Sequence, residues 1–184
     1  MLMLAGCGGE AAEQRTVPDI THVERPTQVP VPELSAEAKE MQARILETTD
    51  RDSLRRFARL ADEGPDFISN FEGSDHFAHW SLLRRTGVDP LRQIEALFED
   101  KRGVRTVGSE VWYIWPHFAA MSREDLAPDQ LDFQDKAKLL ELIGEEGLAH
   151  IRAGGAYPGV RTAISKSGRW VYYLHDSGEG EIIE

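Results

Sequence analysis

Two imidazoles stand three residues apart in His76-Phe77-Ala78-His79. On a helix that spacing puts both on one face, near enough to share a metal ion. Such a site needs a third ligand, and Glu72, Asp75 and the more distant His117 are the candidates. A helical wheel sets His76 inside the apolar arc between Trp80 and Leu83, with His79 at its edge; that is where a core imidazole bonded to backbone sits. The run lacks the His-Glu-x-x-His form in which a glutamate acts as base in metal-assisted hydrolysis. Nucleophilic chemistry finds no Gly-x-Ser-x-Gly elbow, and no phosphate loop is present. The glycine-rich run Gly154 to Gly159 precedes a strand pattern rather than opening a helix, so it cannot cradle phosphate in the usual way and reads as a flexible turn. Acidic pairs such as Glu145-Glu146 and Glu124-Asp125 read as solvated surface, because paired-carboxylate catalysis needs two buried groups. No motif calls for a cofactor.

Aromatic rings are the other candidate chemistry. They concentrate in Trp112-Tyr113-Ile114-Trp115 and in Trp170-Val171-Tyr172-Tyr173. Strand alternation sends Tyr113 and Trp115 to one face, and Trp170 and Tyr172 to one face of the later strand. If a sheet face stays uncovered, Tyr113, Trp115, Trp170 and Tyr172 would stack against sugars or a partner protein, with Arg105, Arg161 and Arg169 nearby. The competing reading is that helices bury these rings, since aromatic-rich central strands usually form core.

The single cysteine, Cys7, closes the run Leu4-Ala5-Gly6-Cys7. That run resembles the lipobox of bacterial lipoproteins. The resemblance implies a diacylglycerol thioether on Cys7, cleavage just before it, and acylation of the new amino terminus. It also makes residues 1–6 the remnant of a signal peptide. A secretory signal needs a basic region and an apolar stretch of ~7–15 residues, so the start codon is expected further upstream. Gly8 follows the cysteine where an aspartate would signal inner-membrane retention, which by analogy with the family points to the outer membrane. The implied location is the bacterial cell envelope, anchored by lipid and facing the periplasm. A bare thiol would instead leave a cytoplasmic protein.

Composition narrows the classes further. With 32 acidic against 21 basic residues the net charge is −11, which repels nucleic acid and supplies no basic stripe to release phosphate counterions. No second cysteine exists for a disulfide within the chain. After residue 7 no stretch approaches the ~18 apolar residues of a spanning helix.

The elements that must position these side chains follow from capping and periodicity. Residues 7–34 read as lipid-bearing cysteine and tether, with Pro18, Pro26, Pro30 and Pro32 favouring extended chain. At ~3.1 Å per residue the stretch from Gly8 to Glu33 reaches about 80 Å at most. A single globular domain spans 35–175. Ser35 caps a first helix to about Thr48, burying Ala38, Met41 and Ile45. Asp50 or Asp52 opens a second, burying Leu54, Phe57, Ala58 and Ala61 until Gly64-Pro65 stops it. Phe67 to Phe71 is a short extended piece. Ser74 caps a third helix ending at Gly87, and Asp89-Pro90 starts a fourth with Leu91, Ile94, Leu97 and Phe98 inward.

Two hairpins are then expected, turning at Gly108-Ser109 and at Lys166-Ser167-Gly168. A fifth helix between them, about Phe133 to Ile143, is expected to bury Ala137, Leu140 and Ile143. Gly103-Val104-Arg105-Thr106 recurs as Gly159-Val160-Arg161-Thr162 ahead of each hairpin. Shared turn and strand rules explain that echo as well as duplication does. Residues 176–184 read as an acidic tail. The expected fold is α+β, about five helices with a four-stranded antiparallel sheet. The expected role is a lipid-anchored envelope protein, a non-catalytic binding or accessory module for a protein or glycan partner. The alternative is an envelope hydrolase around His76 and His79.

Overall fold

The computed structural model describes residues 31–71 and 75–175. Cys7, most of the tether, Glu72, Ser74 and the 176–184 tail lie outside these described residues. Among the described residues the fold is α+β, with five α-helices and one five-stranded mixed sheet.

Helix α1 (Ala36–Asp50) starts where Ser35 Oγ accepts the Ala38 N–H at 3.1 Å, and buries Ala38 and Ile45. Helix α2 (Leu54–Asp62) follows after a tight connection. Its N-cap position is Ser53, without a side-chain cap bond; neither Asp50 nor Asp52 fills that role. Asp52 instead turns the chain at a φ of +46°, a conformation aspartate tolerates better than most residues, and its carboxylate pairs with Arg84. Helix α3 (His76–Arg85) is capped by Asp75, which accepts the Ala78 N–H at 2.9 Å. Helix α4 (Pro90–Glu99) has Asp89 as cap and proline in its first turn, as its sequence demands.

Strands β2 (Gly103–Val107) and β3 (Glu110–Trp115) form one hairpin, and β4 (Arg161–Ser165) with β5 (Trp170–Leu174) the other. The hairpins join through antiparallel β3–β4 pairing. The sheet is not limited to those four strands. Ile68–Ser69, as β1, pairs parallel with β5 at the edge, giving the order β1-β5-β4-β3-β2. Two residues were too few to show a period, so the sequence alone left them outside the sheet.

Helices α1 to α4 cover one sheet face. Their buried residues form a single cluster with Tyr113, Trp115, Ile164, Trp170 and Tyr173. Phe57, fully buried, is central, its ring 4.7 Å from Trp80, 5.0 Å from Trp170 and 5.7 Å from Tyr173. Two of the polar groups inside this layer are bonded, Tyr173 Oη donating to the Pro90 carbonyl at 2.8 Å and Trp170 Nε1 to Thr162 Oγ1 at 2.9 Å, whereas the buried Trp80 Nε1 has no hydrogen-bond partner among the described residues. The opposite face carries Trp112, Ile114, Ala163, Tyr172 and Leu174, packed against Val107, Ala119 and Ala120. Helix α5 (Phe133–Arg152) builds a third cluster with Phe118, Leu126, Leu131 and Tyr157, and Gly144 kinks it at a φ of +66°. L-residues with a side chain rarely adopt that value.

The first described residues are stitched to the sheet. Arg102 Nη2 donates to the Pro32 carbonyl at 2.7 Å, and Tyr113 Oη donates to the Glu33 carbonyl at 3.1 Å. Ser35 Oγ donates to the Lys166 carbonyl at 2.7 Å. Glu110 ties the two hairpins together, accepting from Trp112 Nε1 at 3.1 Å, Ser167 Oγ at 2.8 Å and Arg169 Nη2 at 2.5 Å. Burial alone would raise its pKa, but the bonds from Trp112, Ser167 and Arg169 outweigh that and hold the carboxyl at about 2, against an ordinary 4.5. A depressed pKa contributes stability that is present above the unfolded value and lost as pH falls toward the folded one. A plot of melting temperature against pH is therefore expected to fall between pH 4.5 and 2, and Glu110→Gln should flatten that stretch.

Candidate functional site

The site forms where the chain leaves α2, passes through β1 and enters α3. Asp62 is the last residue of α2, Ser69 lies in β1, and His76 opens α3. Parallel pairing of Ser69 with Tyr173 fixes the serine's height on the sheet edge. His76 Nδ1 lies 2.6 Å from Asp62 Oδ1, and its Nε2 lies 3.1 Å from Ser69 Oγ. A carboxylate can only accept, so Nδ1 carries the proton in the neutral ring and Nε2 presents its lone pair to the serine hydroxyl. Ser69 Oγ also accepts the Phe71 N–H at 3.2 Å, and the Phe71 carbonyl lies 3.3 Å away as a competing acceptor.

Aromatic rings wall the imidazole: Trp80 at 5.2 Å, Phe67 at 5.4 Å and Phe71 at 5.9 Å between centroids. The His76 side chain is 10 % exposed and that of Asp62 is 45 % exposed, so water reaches the carboxylate end. Ser69 is half-buried. Two further histidines stand close. His79 stacks on Phe71 at 4.8 Å, and burial, followed by the nearby charge of His76, lowers its pKa. The His175 N–H donates to Asn70 Oδ1 at 2.5 Å, and its ring meets the Tyr173 ring edge-on at 4.3 Å. Neither His175 ring nitrogen has a partner among the described residues. Burial, then the charge of His79, pushes its pKa down to about 4.

Of the residues singled out by spacing, His76 is in this cluster and His79 beside it. They do not converge on a shared ion, because both ring nitrogens of His76 are already engaged. Asp75 is occupied as the α3 cap, and His117 belongs with Asp135, 3.9 Å away, on another part of the fold. Among the described residues no group of three His, Cys, Asp or Glu side chains could hold a metal. Spacing did not reveal Asp62, Ser69, Asn70 or His175. The first two lie fourteen and seven residues before His76, and only the α2–β1–α3 path brings them to it.

The aromatic platform needs correction. Tyr113, Trp115, Trp170 and Tyr172 are 3 %, 2 %, 4 % and 2 % exposed, so they offer no open stacking surface. Nor do they share a face. The β4–β5 register shifts, pairing Ile164 with Trp170 but Ala163 with Tyr172. Val171 is the extra residue of this bulge. Trp170 thus joins Tyr113 and Trp115 under the helices, while Tyr172 goes to the opposite face.

Exposed apolar surface appears instead on α5. Phe133 is 85 % and Leu140 39 % exposed, with Ala137 between them also exposed. The residues expected inward were thus partly the wrong stripe. Leu139 is buried with Leu142 and Ile143 beside it. Two overlapping apolar stripes at helical spacing stood in the sequence, and packing chose the second.

Comparison of the chain with protein-family models, with curated proteins and with solved structures finds no match in any of the three.

Proposed function

We propose that this chain is a lipid-anchored component of the bacterial cell envelope, facing the periplasm from the outer membrane, and that its domain is an accessory module for a protein partner. The observation that carries the reading is Leu4-Ala5-Gly6-Cys7 at the head of a proline-punctuated tether. The stitched residues 32–35 support it, since they would give such a tether a fixed point of attachment on the sheet. The stripe Phe133, Ala137 and Leu140 on α5 favours a protein over a glycan. A phenyl ring, a methyl and one branched aliphatic side chain suit an apolar partner face, and they lack the convergent polar groups that sugar hydroxyls require. A second reading, the envelope hydrolase, is favoured by one observation: His76 is bonded to a carboxylate on one side and a hydroxyl on the other.

The anchor is tested in the native host, with the chain expressed from its own locus. Two or more acyl chains hold a protein stably on a bilayer. Wild type should sediment with membranes and incorporate radiolabelled fatty acid. Cys7→Ser should lose the label and shift more than ~90 % of the protein to the soluble fraction, a loss consistent with the weak affinity left without acyl chains. Unlabelled, soluble wild type would refute the anchor.

A further inference from the structure

We propose that Ser69 is the nucleophile of an acyl-transfer site, with His76 as its general base and Asp62 as the positioning residue. Three observations combine. The order carboxylate, imidazole, hydroxyl is continuous at 2.6 Å and 3.1 Å, within the reach that proton transfer needs. The Asp62 bond fixes the tautomer whose Nε2 lone pair faces the serine. Ser69 sits on an edge strand, half-buried, with the carboxylate side open to water.

The step balances without a redox partner. Ser69 Oγ bonds to the carbonyl carbon of an ester while its proton passes to His76 Nε2. Collapse of the tetrahedral intermediate breaks the bond to the alcohol oxygen, which leaves with that proton. Water then attacks the acyl-serine, giving one proton to Nε2. The carboxylic acid departs, and Ser69 recovers its hydrogen. The Phe71 N–H donates to Oγ at 3.2 Å in the resting site and would have to turn to the carbonyl oxygen to stabilise the charge that develops there.

The walls indicate the substrate. Phe67 and Phe71 are partly buried, and Ile68, next to the serine, is 39 % exposed. These apolar surfaces beside a partly exposed Asp62 suit a neutral ester with a short apolar acyl chain rather than an anionic one.

The test uses the purified full chain with p-nitrophenyl acetate and butyrate, and a fluorophosphonate probe read by peptide mass. Wild type should hydrolyse both esters and carry the probe on Ser69. Ser69→Ala should abolish labelling and, with His76→Gln, lower kcat by about 10²-fold or more. Asp62→Asn should lower kcat with little change in KM, because it disturbs the imidazole and not the binding walls. Thermal melts accompany each variant, and probe labelling of wild type needs no variant to fold. Folded wild type that takes no probe at Ser69, or Ser69→Ala that melts normally and keeps its esterase rate, would overturn the proposal.

Discussion

Phe57→Ala should destabilise the domain by about 3–5 kcal/mol, the range for removing a fully buried phenyl ring from a packed core. The ring touches Trp80 on α3 and both Trp170 and Tyr173 on β5, so its loss opens a cavity where α2, α3 and the sheet meet. Those neighbours are themselves buried, Trp80 completely so, and large rigid rings cannot collapse into the gap. A domain of this size loses roughly 2–4 °C of melting temperature per kcal/mol, and a fall of about 6–20 °C is therefore expected by circular dichroism. Phe133→Ala is the matched control: the same atoms leave a ring that is 85 % exposed, and the change should stay within ~0.5 kcal/mol. Equal effects at the two positions would contradict the assignment of the core.

Acid should weaken the fold through His175 before it reaches Glu110. The His175 pKa falls from an ordinary 6.5 to about 4, so the folded state resists a proton that the unfolded chain accepts. Stability from this group is complete above pH 6.5 and is lost as pH falls toward 4. At about 1.4 kcal/mol per pH unit, and allowing for partial solvent access, the loss is on the order of 2–3 kcal/mol. His79, also lowered by burial and by His76, adds in the same direction. Urea unfolding at pH 7 and pH 4.5 measures the difference. His175→Phe keeps a ring against Tyr173 and removes the titration, so it should shrink that difference. An unchanged pH slope in that variant would locate the acid sensitivity elsewhere. The Glu110 window lies lower, between pH 4.5 and 2, and the two are separable.

What could be read from the sequence was local. Asp89-Pro90, Ser35 and Gly108 each specify a backbone event by their own chemistry, and the structure places a helix start, a helix start and a hairpin turn there. What could not be read depended on partners distant in the chain or on a choice between equal patterns. Ile68-Ser69 becomes a strand only because β5 presents an open edge. The bulge at Val171 reverses the faces that strict alternation assigns to Tyr172 and Tyr173. On α5 the stripes 133/137/140 and 139/142/143 were both helical, and only the position of the Phe118 and Tyr157 cluster decides between them. The candidate site was half legible. A histidine pair announces itself by spacing, whereas the carboxylate and hydroxyl that engage His76 come from a helix end and a sheet edge. No local rule links either of them to His76.

The proposed envelope anchor depends on the fate of the Cys7 sulfur, and intact mass spectrometry of protein purified from its native host measures it directly. The expected species begins at Cys7, lacks residues 1–6, and carries the added mass of a diacylglyceryl group together with an N-linked acyl chain. A chain that retains Met1 and an unmodified thiol would contradict the envelope assignment outright.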